Sequence, residues 1–214
     1  METLYRTQAD GLTDRIVDAL ATQGWVVVDD VFTPAEVQAL REACLARWDG
    51  GDFRAAAVGK GGGEAVRSEI RSDSVLWLNE ADDAPAITRY FDTMDALRVA
   101  VNRGLYLGLA DLEAHFAVYP AGSFYKKHLD RFRDDDARTL TSVFYLNEGW
   151  PAGAGGELRL YLDADCRQSV DIRPLAGTMV LFLSDRFWHE VLPARRQRLS
   201  LTGWFRRHGG SMTW

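Results

Sequence analysis

Three residues of this 214-residue chain have the types and the spacing needed to hold a transition metal. His128 and Asp130 lie two apart in the run SFYKKHLD, so in an extended strand both side chains would leave the same face. His189 follows the strand-like run TMVLFLS. Two histidines and one carboxylate make the facial triad that binds Fe(II) and leaves positions open for a co-substrate and O2. We therefore predict an iron site at these three residues.

Other interpretations of these histidines are open to the sequence. An HxD tripeptide arises often by chance, and alone it fits a surface histidine beside an aspartate. A structural zinc site remains an alternative, although zinc in such sites prefers a closed, thiolate-rich shell. A zinc-protease motif is rejected, because it needs a second histidine three residues after Glu190 and Pro193 stands there.

A strand that opens at Arg198 carries Ser200, Thr202 and Trp204 on the same face as the arginine. An arginine inside an apolar barrel is costly unless a carboxylate meets it, and its planar guanidinium suits bidentate capture. 2-Oxoglutarate offers such a carboxylate at one end, while its 2-oxo acid end can chelate iron, and Tyr145 could add a phenolic hydrogen bond. The alternatives are a surface salt-bridge arginine and a core tyrosine.

Length and composition predict one globular domain over residues 1–214, since 47% of the residues are hydrophobic and 26% are charged. The formal net charge of -6 would repel nucleic acid and anionic membranes, so we expect neither as a partner. The chain has no signal-peptide pattern and no apolar run of about 20 residues, which predicts a cytoplasmic protein. Its two cysteines lie far apart and indicate no disulfide framework.

The first part of the chain, to about residue 105, is predicted to be helical support with one strand at residues 25–28. One helix ends at Gly24, and a second begins at the capping box formed by Thr33 and Glu36. A third is expected over about residues 85–103, with Gly104 as its stop. The glycine-rich run 59–63 lacks the order of a phosphate-binding loop, and we interpret it as a mobile loop.

From residue 112 onward the chain consists of short β-rich runs separated by turn residues. Seven or eight such runs need mutual pairing, and their spacing suits a double-sheet jelly roll over about 112–207. We therefore predict an α+β fold that is mainly β: a double-stranded β-helix core closed on one side by the N-terminal helices. The last residues, 208–214, are expected to be a frayed end.

Beyond these separate signals, the chain resembles the 2-oxoglutarate oxygenases, and within them the prolyl hydroxylase domain enzymes and their bacterial relatives. The likeness runs from about residue 71 to 206. Its most specific stretches are IRSDSVLWL, the HLD motif after YP, YLNEGWPAGAGGELRL, and above all LFLSDRFWHEVLPARRQRLSLTGWF. It implies that His128, Asp130 and His189 hold iron and that Arg198 binds the co-substrate. Further co-substrate contacts implied by the likeness are Tyr145, Tyr119, Val143, Leu158, Val191, Thr202 and Trp204.

In this family the loop ahead of an IRxDxxxW segment closes over a bound polypeptide near the iron. Arg71, Asp73 and Trp77 keep that pattern here, and Arg138 falls where a partner for the aspartate and a substrate contact would be expected. The alternative is an ordinary surface ion pair, which contributes little. The chain departs from the family by one residue fewer between Tyr119 and His128, and by the acidic run 134–136.

The resemblance implies 2-oxoglutarate- and O2-dependent prolyl 4-hydroxylation of a protein substrate, of the oxygen-signalling or translation-machinery type, giving succinate and CO2. Fe(II) is the expected metal, ascorbate is an optional accessory, and we expect a monomer acting on a proline-containing protein or peptide. Two other functions stay open: a hydroxylase of free proline or another small molecule, and a non-catalytic module that senses oxygen or 2-oxoglutarate by binding. The glycine-rich loop and Trp77 favour a polypeptide.

Overall fold

The computed structural model describes residues 8–58, 65–82, 84–131 and 137–208. Within them the helices are α1 (Gln8–Thr22), α2 (Pro34–Asp49) and α3 (Pro85–Leu105). The strands are β1 (Trp25–Val28), β2 (Arg54–Ala55), β3 (Ala57–Val58), β4 (Ala65–Val66), β5 (Ser74–Trp77), β6 (Leu109–Tyr119), β7 (Tyr125–His128), β8 (Arg138–Tyr145), β9 (Leu158–Tyr161), β10 (Ser169–Ile172), β11 (Met179–Leu183), β12 (His189–Val191) and β13 (Arg198–Arg207).

The strands form two main antiparallel sheets that face each other. The larger sheet has the order β1-β11-β8-β13-β6-β5-β2, and the smaller has the order β10-β9-β12-β7. Strands β3 and β4 pair separately. This confirms the predicted mainly β jelly roll with supporting helices. In the described part of the chain, no helix is long and apolar enough to cross a membrane.

The larger sheet is buried on both faces because its residues alternate between two cores. On β6, Phe116 and Val118 point to the core shared with the three helices. Their neighbours Ala117 and Tyr119 point to the core between the two sheets. Strand β8 divides its residues in the same way. The second core surrounds the cavity described below, so the helices stiffen the sheet from behind while the opposite face remains available for chemistry.

Helix α2 begins as its sequence predicts. The backbone N–H of Glu36 donates to the Thr33 hydroxyl at 3.3 Å, and the Glu36 carboxylate accepts from the Thr33 backbone N–H at 2.8 Å. The same carboxylate accepts from Arg89 Nε of α3 at 2.6 Å. One capping box therefore satisfies the first turn of α2 and also connects two helices.

Replacing Thr33 by alanine removes the cap while leaving the helix residues unchanged. We expect unfolding to become easier by about 1 kcal/mol, the usual contribution of an N-cap hydroxyl. For a domain of this size that corresponds to a melting temperature about 2–4 °C lower, measured by thermal denaturation. Thr33→Ser keeps the hydroxyl and should melt close to wild type; equal melting of Thr33→Ala and wild type would contradict the capping role.

The prediction that Gly104 stops the third helix is wrong. Helix α3 continues to Leu105. Its C-cap is Tyr106, which adopts the left-handed conformation with φ 55°. A Cβ on Gly104 would collide with Cγ1 of Val17 in α1. The glycine is therefore required for close packing of two helices, a demand that local sequence rules do not register.

The first part of the chain, to about residue 105, also holds more strands than predicted. Besides β1 it contains β2 to β5, and β5 joins the larger sheet by pairing with β6. These strands are two to four residues long, so each depends on its pairing partner: β2 pairs with β5, β3 with β4, and β5 also with β6. The mobile loop predicted at 59–63 lies outside the described ranges, and so does the frayed end predicted at 208–214, apart from residue 208.

Candidate active site

Three predicted metal ligands meet between the sheets. His128 ends β7, His189 opens β12, and these two residues are paired in register. Asp130 Oδ1 lies 3.5 Å from His128 Nε2, and Asp130 Oδ2 lies 3.4 Å from His189 Nε2. The ligand atoms of the three residues all lie within 4.8 Å of one another. The structure therefore brings the three predicted ligands into one cluster.

The predicted reason for this convergence is wrong in one respect. Strand β7 ends at His128, so Asp130 does not share a strand face with it. Asp130 instead lies in a bend, and the bend turns its carboxylate back between the two imidazoles. Residues two apart can therefore converge without two-residue strand periodicity.

Backbone carbonyls orient both imidazoles. The Nδ1 atom of His128 lies 2.7 Å from the Lys126 carbonyl oxygen, and Nδ1 of His189 lies 3.0 Å from that of Phe187. Since a carbonyl only accepts, each Nδ1 carries the proton and donates. The Nε2 lone pairs are then free to bind a metal, and the hydrogen bonds set the ring orientation.

The carboxylate of Asp130 is held by a buried hydroxyl pair. Thr141 Oγ1 donates to Asp130 Oδ2 at 2.9 Å and lies 2.9 Å from Ser184 Oγ. Burial alone would raise the pKa of Asp130, but the two nearby imidazoles outweigh it and lower that pKa well below its usual range. The carboxylate is therefore ionised and ready to act as a ligand.

The donor set fits Fe(II). Two imidazole nitrogens and one carboxylate oxygen are the ligands of the facial triad, which leaves other coordination positions for small reactants. Within the described residues, the cluster contains no fourth histidine, cysteine, aspartate or glutamate. A structural zinc site would need such a fourth ligand to close its shell, so the arrangement argues against it.

The triad opens into a cavity of about 430 Å³, a volume that includes the open solvent at its mouth. Most residues predicted to contact the co-substrate or the metal line it. The complete lining is Arg71, His115, Tyr119, Tyr125, His128, Asp130, Val143, Leu158, His189, Val191, Arg198, Ser200, Thr202 and Trp204.

The fully buried guanidinium of Arg198 lies in the wall of this cavity. Its Nε donates to the Gly156 carbonyl at 2.9 Å, and Nη1 donates to the Ser200 hydroxyl at 3.2 Å. Its Nη2 is buried and has no hydrogen-bond partner among the described residues. The rings of Tyr119 and Tyr145 flank the guanidinium at 4.9 and 5.0 Å. A buried cation with an unpaired donor fits a carboxylate ligand.

Tyr145 was predicted to contact the co-substrate, but it is not part of the cavity lining. It lies against Arg198, and its buried hydroxyl has no hydrogen-bond partner within the described chain. Burial raises the pKa of Tyr145 to about 12, although the Arg198 charge opposes that rise. The phenol therefore keeps its proton and can donate to an anion bound at Arg198.

Gly156 supplies the carbonyl that anchors Arg198, and its backbone has φ +76°. A Cβ there would lie 2.9 Å from the Ala194 Cβ and 3.3 Å from Arg198 Cδ. We expect Gly156→Ala to displace the guanidinium and to raise the KM for 2-oxoglutarate by about 10- to 100-fold. Steady-state succinate assays measure this change.

The control for that variant is Gly153→Ala, whose backbone has φ +75° but whose added Cβ would meet nothing within 4 Å. It carries the same left-handed strain, about 1–2 kcal/mol, without the collision. Its KM should stay near the wild-type value. Equal KM values for the two alanine variants would refute the anchoring role of Gly156.

Arg71 lines the cavity beside the metal ligands. Its guanidinium donates to both carboxylate oxygens of Asp73 and lies 4.3 Å from the ring centroid of Tyr125. The Tyr125 ring in turn stacks on His128, with 3.6 Å between centroids. The predicted substrate residues Arg71 and Asp73 therefore form one packed unit that reaches a metal ligand.

Arg138 contacts a different acid from the one expected. Asp73 is paired with Arg71, while Arg138 Nε donates to Glu113 Oε1 at 2.7 Å. Its guanidinium also lies 3.7 Å from the ring centroid of Trp204. Cation–π contact with a wall residue of the cavity keeps Arg138 near the site without the predicted Asp73 pair.

Sequence reasoning missed several residues that the fold brings to this site. His115 and Tyr125 line the cavity, and Thr141 and Ser184 support Asp130. His115 could have been found, because it lies four residues before Tyr119 on the same strand face. Tyr125 could not have been found from the sequence, because a register irregularity in the β7–β12 pairing breaks the two-residue alternation of strand β7.

Comparisons with known proteins agree with this geometry. Residues 114–206 match the model of the 2OG-Fe(II) oxygenase superfamily. The crystal structure of a Pseudomonas putida prolyl-4-hydroxylase is 47% identical with a TM-score of 0.83, and the alignment covers 92% of this chain and 100% of that one. A Trichoplax adhaerens prolyl hydroxylase, solved with a hypoxia-inducible factor oxygen degradation domain peptide, is 26% identical with a TM-score of 0.82, covering 96% and 94% of the two chains.

A curated relative is the hypoxia-inducible factor prolyl hydroxylase of Caenorhabditis elegans. It is 31% identical over 209 residues, an alignment that covers 91% of this chain. The chain spans only 28% of the length of that nematode protein. The similarity therefore applies only to that part of the nematode protein and not to its remaining length.

Proposed function

This chain belongs to the 2OG-Fe(II) oxygenase superfamily, and from that premise we propose that it hydroxylates a prolyl residue of a protein substrate, at C4. The reaction consumes 2-oxoglutarate and O2 and gives succinate and CO2. One observation carries the proposal: Arg198, whose buried Nη2 has no hydrogen-bond partner among the described residues, lines the same cavity as the His-Asp-His triad. The likeness to two solved prolyl hydroxylases supports prolyl chemistry.

His128, Asp130 and His189 would hold the metal. When bound, Fe(II) with 2-oxoglutarate and O2 supplies the oxidising power needed to hydroxylate an unactivated carbon. The protein contributes the orientation of its ligands: two carbonyls fix the imidazoles, and the Thr141 hydroxyl fixes Asp130. Such contacts behind the ligands raise metal affinity by limiting their motion.

Arg198 would bind the distal carboxylate of 2-oxoglutarate. Its Nε and Nη1 are already anchored, so the guanidinium is preorganised, and Nη2, which has no partner among the described residues, would donate to the ligand. The apolar side chains of Val143, Leu158 and Val191 enclose the carbon chain and exclude water. A dry wall strengthens the carboxylate–guanidinium interaction because it lowers the local dielectric constant.

The mouth of the cavity supports a polypeptide as the substrate. Trp77 lies beside the cavity and is 52% exposed, a large aromatic surface suited to a ring such as that of proline. Arg71 and Arg138 add fixed donors on the same side. Aromatic and arginine side chains dominate the energetics of protein contacts, which favours a chain over a small free solute.

The test is mass spectrometry of a host proteome incubated with the protein, Fe(II) and 2-oxoglutarate. We expect one or a few peptides to gain a single oxygen on proline, with matching succinate release. Succinate released with free proline, and no modified protein, would favour a small-molecule hydroxylase. No succinate under any condition would favour a binding module and would refute the proposal.

A further inference from the structure

The imidazole of His115 lines the active-site cavity but takes no part in the metal or co-substrate contacts described above. The residue is 3% exposed, and within the described part of the chain its Nδ1 has no hydrogen-bond partner. A buried polar atom without a partner costs free energy, so native proteins retain few of them without a reason. A ligand that pairs with Nδ1 would supply that reason.

His115 is neutral in the folded protein. Burial, together with the positive charges of Arg71 and Arg138, lowers its pKa to about 3, against a smaller opposing effect of Asp130. A neutral imidazole has one N–H and one lone pair, so it recognises an uncharged polar group rather than a carboxylate. This chemistry differs from that of Arg198.

The sheet register places His115 on the substrate side of the cavity. It pairs with Thr202, whereas Arg198 pairs with Tyr119 four residues away, about 13 Å of strand at about 3.3 Å per residue. His115 also pairs with Trp77 of β5, which is 52% exposed, whereas Arg198 is 1% exposed, so His115 lies nearer the open end of the cavity than Arg198 does. The rings of Trp77 and Trp204 flank His115 at 4.9 and 5.2 Å.

We propose that His115 is a positioning residue for the polypeptide, whose Nδ1–H donates to a backbone carbonyl beside the target prolyl residue. The inference rests on the proposed function and extends it to a substrate contact. A prolyl nitrogen carries no hydrogen, so carbonyl oxygens are the dependable polar groups of the backbone at this point. A donor between two indole rings recognises the flat ring and the adjacent carbonyl together.

Three variants test the donor. His115→Asn keeps an N–H at the position of Nδ1, His115→Gln places its amide at the position of Nε2, and His115→Leu has no donor. The probes are short capped peptides with one central proline, of which the peptide that most stimulates wild-type succinate release is used for all variants. We expect His115→Leu and His115→Gln to raise the KM and the calorimetric Kd for this peptide about tenfold, the effect of one neutral hydrogen bond.

In His115→Leu and His115→Gln the KM for the peptide should rise more than the KM for 2-oxoglutarate, and His115→Asn should bind the peptide like wild type. Thermal unfolding checks folding, and His115→Leu should melt no lower than wild type because it removes an unpaired buried polar atom. Wild-type peptide binding by His115→Leu, or a KM for 2-oxoglutarate that rises as much as the KM for the peptide, would overturn the inference. If no peptide stimulates the wild-type protein, the proposed function fails first.

Discussion

Replacing Asp130 by alanine is expected to lower 2-oxoglutarate-dependent succinate formation by about 10³-fold or more, equivalent to about 4 kcal/mol of transition-state stabilisation. The carboxylate supplies the only negative charge among the three ligands and lies within 3.5 Å of both imidazole Nε2 atoms. Without it, two neutral imidazoles hold a divalent cation weakly. The measurements are succinate release with iron in excess and Fe(II) binding by equilibrium dialysis.

The control is Asp185→Ala, which removes a carboxylate outside the cluster. Asp185 is half-exposed and accepts from Arg131 Nη1 at 2.6 Å, a surface ion pair whose loss should cost little. Turnover of this variant should match wild type. Circular dichroism establishes that both variants are folded. Undiminished turnover by a folded Asp130→Ala protein would remove the basis for the metal site.

The second large effect is expected from Arg198→Lys, which keeps the charge but loses the planar fork. A lysine cannot donate to the Gly156 carbonyl and to the ligand with the same fixed geometry. One charge-assisted hydrogen bond contributes about 1.5–3 kcal/mol, so the KM for 2-oxoglutarate should rise by about 10- to 100-fold. The maximal rate at saturating co-substrate should fall much less, because the metal ligands are unchanged.

Arg196→Lys makes the same substitution at an exposed residue of the preceding turn. Arg196 lies 5.4 Å from the ring centroid of Trp150 and does not line the cavity. Its KM for 2-oxoglutarate should equal that of wild type. Should Arg198→Lys share that value, the assignment of the distal carboxylate to Arg198 would be untenable.

Much of the fold could be predicted because local rules and tertiary structure agree in many elements. The capping box at Thr33 begins a real helix, and the alternation after Arg198 describes a real strand. The errors occur where packing decides. Gly104 serves contact with Val17 rather than helix termination, and strand β5 exists because β6 lies beside it. A single sequence does not show which distant element will be the neighbour.

In the candidate site, too, the features set by local sequence rules could be predicted, whereas those set by tertiary packing could not. Strand periodicity placed Arg198, Ser200 and Thr202 on one wall, and all of them line the cavity. The convergence of Asp130 depends on a bend, and the choice of Glu113 by Arg138 depends on how β6, β13 and β8 are arranged side by side. Ligand types and spacing therefore identified the metal site, while the contacts around it required the sheet order.

The most direct test is an anaerobic crystal structure of the protein with Mn(II), as an inert substitute for iron, and 2-oxoglutarate. We expect one metal ion bonded to His128 Nε2, His189 Nε2 and an oxygen of Asp130, with the far carboxylate of 2-oxoglutarate on Arg198. A metal ion bound elsewhere, a fourth protein ligand closing its coordination shell, or a 2-oxoglutarate carboxylate away from Arg198 would contradict this expectation.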